Sequence, residues 1–215
     1  MEFDSATEPT ARPTFAQRVF SSHVGLLLSA LVVMWVVEAL DTFALSHRLQ
    51  SNGIHPRELD GLDGVVWAPF LHSDWGHIGS NSVPFVVLGW LVALRGKTRL
   101  LLTTIVTMIV GGGLTWLVGG SGNHIGASGV VFGYFGALLG AAFYERRPAT
   151  LAPALVAILL YGGMIAGLAP KTGISWEGHL FGLLSGVLAA RVISGPRPPK
   201  AVEPDEFSLL DPDAA

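Results

Sequence analysis

The chain has 215 residues, 50% hydrophobic and only 13% charged, with a mean hydropathy of +0.53. A soluble domain carries about a quarter charged residues, so this balance points to a polytopic membrane protein. A net charge of −3 offers no basic face for nucleic acid, and the absence of cysteine excludes disulfides, thiolate zinc sites and a cysteine nucleophile.

Residues 1–22, MEFDSATEPTARPTFAQRVFSS, mix acids with prolines and lack the basic start and apolar core of a signal peptide. They are expected to form a polar cytoplasmic tail. Residues 23–195 read as one membrane domain, and the Pro-rich, acidic residues 196–215 read as a disordered cytoplasmic tail.

A membrane span needs about 20 mostly apolar residues. Six segments qualify: His23 to Leu45, Ile78 to Leu94, Leu100 to Val118, Ser128 to Tyr144, Leu151 to Leu168 and Trp176 to Ile193. The second and sixth open with polar residues. Ten of the thirteen Lys and Arg residues fall on one side of this arrangement, in the tails and in the connections at Arg95–Arg99 and Arg146–Arg147. The excess of positive charge marks that side as cytoplasmic, with both termini on it. The connection from Ser46 to Gly76 is then an outer loop, partly interfacial, with Trp67 and Trp75 at headgroup depth. Arg48 and Arg57 in this loop have no evident partner and are expected to be solvated.

Spans two, four and six descend from the outer side, and each begins with residues that lipid rejects. Span two opens with His72, His77 and Asn81, span four with Ser128, and span six with His179. Ser128 lies 17 residues above Glu145, roughly 26 Å at the helical rise of 1.5 Å per residue. The same arithmetic puts His179 roughly 24 Å and Asn81 roughly 21 Å above their cytoplasmic ends. The three polar groups share one level just below the outer surface. Gly129, Gly133, Gly136 and Gly140 on span four, and Gly182 and Gly186 beneath His179, form small-residue stripes that let helices pack closely in lipid.

Each residue has a plain structural reading as well. A lone membrane serine usually bonds a backbone carbonyl, and His179 could serve a loop carbonyl. His77 and Asn81, four apart on one helical face, could form a polar clasp or supply donors to a developing oxyanion. His72 is one residue off that face and fits a clasp, and His124 is a loop residue. The motif around Ser128 is not the Gly-x-Ser-x-Gly elbow, since Val130 occupies the last glycine position. No His-Glu-x-x-His helix is present, so no metal site is expected. Asp41 lies near the outer end of span one without a second aspartate at its depth, which excludes a two-aspartate protease.

Three elements together resemble the rhomboid intramembrane serine proteases: His72, His77 and Asn81 on span two; Gly126, Ser128 and Gly129 opening span four; and His179, Gly182 and Gly186 on span six. The resemblance covers nearly the whole membrane domain. It implies an all-α membrane protein, a bundle of six transmembrane helices with an outer loop between helices 1 and 2. It further implies a Ser–His dyad without a third acid and without a cofactor. Ser128 would be the nucleophile and His179 the general base, while the Ser128 N–H with the Asn81 and His77 side chains would stabilise the oxyanion. Its substrates would be transmembrane proteins, cut near the outer face at sites with helix-destabilising residues and a small residue before the scissile bond. The chain departs from the best-known bacterial members in two places. Phe132 stands where they carry a Tyr against the histidine ring, and their Trp-Arg pair in the first outer loop has no counterpart.

Gly122 and Gly126 allow irregular backbone to dip below the surface before span four, which lipid tolerates only beside protein or a watery cavity. The Gly-rich second half of span five, YGGMIAGLAP, ends at Pro170 and suggests that this span or the loop after it is a mobile gate. The competing classes are an inactive rhomboid-like protein that binds membrane clients and a small-molecule transporter. A bacterial plasma membrane is the expected setting, with lipids as neighbours; oligomeric state is not legible.

Overall fold

The computed structural model describes residues 23–194. Both expected tails, and Gly195 at the end of the expected membrane domain, lie outside the described residues. Among the described residues there are six long helices: α1 (His23–Phe43), α2 (Trp75–Ala93), α3 (Lys97–Val118), α4 (Ser128–Glu145), α5 (Pro148–Leu168) and α6 (Trp176–Ser194). The described residues are all-α apart from one isolated antiparallel bridge between Ile54 and His124.

Three helices, α1 from Val24, α3 and α5, are long and apolar enough to cross a membrane by length and composition. They alternate along the chain with α2, α4 and α6, which carry His77, Asn81, Ser128 and His179, whereas His72 lies in the connection just before α2. The helix starts follow local chemistry. α2 begins at Trp75, three residues before the expected Ile78, because the Asp74 carboxylate accepts from the His77 N–H at 2.9 Å and caps the first turn. α3 begins at Lys97 after Gly96, whose φ of +116° turns the chain sharply. α5 begins with Pro148, whose fixed φ and missing N–H suit the first helical position.

α4 occupies the centre, with residues from Val130 to Ala141 almost all buried. Its principal neighbour is α6, and the two backbones touch. A β-carbon on Gly182 would collide with the Gly129 carbonyl, one on Gly186 with the Gly133 carbonyl, and one on Gly136 with the Leu183 carbonyl. On its opposite side α4 packs on α2, where the Phe85 and Tyr134 rings lie 5.7 Å apart. α3 has one wide π-helical segment, Thr107–Gly111, and the Thr107 side chain there fills the space above Gly133.

The connection between α1 and α2, expected as a partly interfacial outer loop, is a folded unit of short helical turns. The Asp41 carboxylate at the end of α1 accepts from the N–H groups of Leu49 and Gln50, at 2.8 and 3.2 Å. Ile54 and His124 exchange two main-chain hydrogen bonds of 3.0 Å. Arg57, expected to be merely solvated, donates from its side chain to the Gly119 carbonyl at 2.7 Å. Its partner is a main-chain oxygen, which no residue letter announces. Trp75 packs on Trp35 and Phe43, with ring separations of 5.7 and 6.0 Å, and Trp67 is half exposed. Both positions suit a membrane boundary.

Candidate active site

Ser128 is the first residue of α4, so its N–H has no partner within the helix. The approach to it is built from glycine. Gly126 has φ +111°, and a β-carbon there would lie 2.6 Å from His77 Nε2. Only glycine permits both that backbone and that approach of the imidazole. The Gly126 N–H donates to the Ala68 carbonyl at 2.9 Å, tying the turn to the outer loop.

Close packing of α4 on α6 brings His179 Nε2 to 2.9 Å from Ser128 Oγ. The ring is held on three sides. Phe132, one turn below Ser128, stacks on it with a centroid separation of 4.4 Å and planes 14° apart. His179 Nδ1 lies 2.9 Å from the Gly167 carbonyl. An aromatic face at position 132 is therefore enough for the stack without a phenol hydroxyl.

Asn81 is buried, and its side-chain nitrogen has no hydrogen-bond partner among the described residues. An unpaired buried amide costs about 1–3 kcal/mol, so such groups persist mainly where function uses them. It points at the same place as His77: a β-carbon on Gly126 would lie 3.5 Å from Asn81 Nδ2. His77 Nδ1 accepts from the Ser73 N–H at 3.4 Å, and Ser73 Oγ lies 3.2 Å from the same nitrogen. An N–H can only donate, so Nδ1 is the bare nitrogen and Nε2 carries the proton toward Gly126. Two side-chain donors and the Ser128 N–H thus border one space.

His72 has a different task. It is buried, its ring meets that of His77 edge-on at 5.0 Å, and its Nε2 accepts from the Ala127 N–H at 3.3 Å. Burial pushes its pKa down to about 4, with the nearby His77 adding to the effect, so the ring stays neutral and able to accept. It clasps the peptide immediately before Ser128. Asp74 is held below the ordinary carboxylate range by the His77 N–H and then by the Ser73 hydroxyl.

His77, Asn81, Ser128 and His179 line one cavity of about 730 Å³, together with Ser73 and Ser80. Its walls are rich in hydroxyl and imidazole groups, which favours water. Behind Ser128 a separate space of about 50 Å³ is bordered by Val65, Met108, Gly111 and Val130. His124 is more than a loop residue. Its Nδ1 lies 2.6 Å from Ser175 Oγ and its Nε2 2.9 Å from the Gly120 carbonyl, joining the segment before α4 to the segment before α6. Neither this link nor the Gly167 carbonyl follows from residue spacing, because one needs the loop folds and the other is main chain. Gly129, Gly182 and Gly186 lie at the α4–α6 contact, where they let the two backbones touch beneath Ser128 and His179.

Residues 62–196 match the family model described as Rhomboid domain, a stretch that contains every site residue above. An uncharacterized protein of Mycobacterium tuberculosis is 38% identical over 206 residues, covering 88% of this chain and 85% of the relative. An uncharacterized protein of Mycobacterium leprae is also 38% identical, over 180 residues, covering 79% of this chain and 71% of the relative.

Proposed function

The chain belongs to the rhomboid family of helical membrane proteins, and from that premise we propose that it is an intramembrane serine endopeptidase. The observation that carries the reading is the 2.9 Å contact between Ser128 Oγ and His179 Nε2 at the floor of a polar cavity. A serine hydroxyl is a weak nucleophile until a positioned base takes its proton, and His179 is placed to take it. Ser128 Oγ then attacks the scissile carbonyl. The oxygen that becomes negative meets the Ser128 N–H, Asn81 Nδ2 and His77 Nε2–H. His179 passes its proton to the leaving amine, and water from the cavity releases the acyl group by the reverse sequence.

All six helices cross the membrane in this reading, α1, α3 and α5 toward lipid and α2, α4 and α6 around the site. Both termini are cytoplasmic, with polar tails at 1–22 and 196–215 flanking the membrane domain at 23–195. The cavity then opens outward, in a bacterial plasma membrane. Substrates are transmembrane proteins whose helices unwind near the outer face, since a helical backbone hides its carbonyls. The space of about 50 Å³ behind Ser128 favours a small side chain before the cut. α5 is the gate through which they enter, supported by the small part of it that is buried.

Incubation of the detergent-purified protein with a fluorophosphonate tests the reading. Labelling of the wild type that disappears in both Ser128→Ala and His179→Ala is expected. Equal labelling of all three proteins would refute it.

A further inference from the structure

His179 has two ring nitrogens, and only one faces Ser128. The other, Nδ1, lies 2.9 Å from the carbonyl oxygen of Gly167. A carbonyl can only accept, so this contact puts the ring proton on Nδ1 and leaves the Nε2 lone pair for the Ser128 hydroxyl.

The sequence explains why that carbonyl is available. α5 changes from α-helix to 3-10 helix at Gly162 and continues to Leu168. In a 3-10 helix the Gly167 carbonyl would bond the N–H three residues on. That residue is Pro170, which has none. The last bond of the turn runs instead from the Ala169 N–H to the Ala166 carbonyl, at 3.3 Å. The Gly167 oxygen is left at the negative end of a helix, where an imidazolium is favoured. Position 167 is also tight for a side chain: a β-carbon would lie 3.1 Å from His179 Nδ1 and 3.3 Å from Phe132 Cζ, so both rings would have to shift by a few tenths of an ångström.

We infer that the Gly167 carbonyl, freed by Pro170 and presented by the end of α5, is the positioning group that sets the tautomer and orientation of His179. It does for this imidazole what a carboxylate does in a three-membered triad. The inference rests on Ser128 and His179 being the reacting pair. It also links the gate to the chemistry, because α5, only 11% of whose apolar stretch is buried, is among the least enclosed helices of the fold. Outward movement of α5 takes the carbonyl away from the ring, and the base is set only when the helix returns.

Nitrogen-15 NMR of the histidine-labelled full chain in detergent, without substrate, reads the tautomer directly. The His179 signals, identified by their loss in His179→Asn, are expected to show a protonated Nδ1 and a bare Nε2. Gly167→Ala crowds the ring, and Pro170→Ala restores an N–H that competes for the carbonyl. Both are expected to mix the tautomers and lower kcat at least about tenfold, with KM within about twofold of wild type. Should Gly167→Ala fail to fold, Pro170→Ala and the wild-type spectrum still decide. A wild-type ring with its proton on Nε2, or variants with unchanged tautomer and kcat, would overturn the inference. A wild type that shows the Nδ1–H form but resists the fluorophosphonate upholds the positioning contact and refutes the protease reading instead.

Discussion

Gly186 on α6 lies so close to the carbonyl of Gly133 on α4 that a β-carbon at 186 would overlap that oxygen. The contact is backbone on backbone, and no rotamer can relieve it. Gly186→Ala must therefore push α6 away from α4, and the Ser128–His179 contact lies on that same seam. Overpacking of this kind costs about 1–3 kcal/mol. A lower melting temperature and a strong loss of fluorophosphonate labelling are expected. Gly113→Ala on α3 is the control, since nothing lies within 4 Å of a β-carbon there. It should be neutral, or stabilising by up to about 1 kcal/mol through helix propensity.

Asn81 holds a buried amide nitrogen with no hydrogen-bond partner among the described residues. If that nitrogen serves an oxyanion, the bond forms only in the transition state and binding of substrate does not use it. Asn81→Ala should then lower kcat by about 10²–10³ with little change in KM. Because the amide is unpaired at rest, its removal should not lower the melting temperature. A variant that loses stability but keeps kcat would mark Asn81 as structural.

Much of the site is legible in the sequence because side chains at helical spacing can be placed by arithmetic. Ser128, His179 and Asn81 fall at one depth by counting, and the stripes Gly129–Gly140 and Gly182–Gly186 announce a close helix pair. Main-chain partners carry no letter, and they are what spacing cannot reveal. The Gly167 carbonyl on His179, the Gly119 carbonyl on Arg57 and the Ala127 N–H on His72 all belong to that class. The outer loop is hidden for a related reason: its turns are set by the Ile54–His124 bridge, between segments 70 residues apart in the chain. The start of α2 shifts because Asp74 caps it, a signal present in the sequence but overshadowed by hydropathy.

His72 gives the fold a pH dependence whose sign follows from its environment. Burial lowers its pKa from 6.5 to about 4 in the folded protein. The unfolded chain therefore binds the proton first as pH falls. Stability from this group is complete above about pH 6.5 and is lost progressively toward pH 4, by at most about 3 kcal/mol. Melting temperatures in detergent should fall across that window. His72→Gln keeps an acceptor for the Ala127 N–H without a titrating ring, and should flatten the slope. An unchanged slope would assign the effect to other groups.

At the opposite end of the bundle, Glu145 of α4 gathers three elements. Its Oε1 pairs with Arg95 in the α2–α3 connection and, at 3.3 Å, with Arg99 in the first turn of α3, and it accepts from Ser194 Oγ of α6 at 2.8 Å. The Arg95 and Glu145 side chains are only 11% and 14% exposed, so solvent screens this pair weakly. Glu145→Gln leaves Arg95 facing Arg99 without a counter-charge, and a loss of about 2 kcal/mol is expected, below the range for a fully buried pair. Arg95→Met alone should also destabilise, whereas the double variant should cost less than the two singles combined, as for groups in direct contact. Additive costs in thermal melts would show that the clamp contributes nothing as a pair. The folded fraction of Glu145→Gln should keep its fluorophosphonate reactivity, because α4 spans the distance between this clamp and Ser128 as one uninterrupted helix.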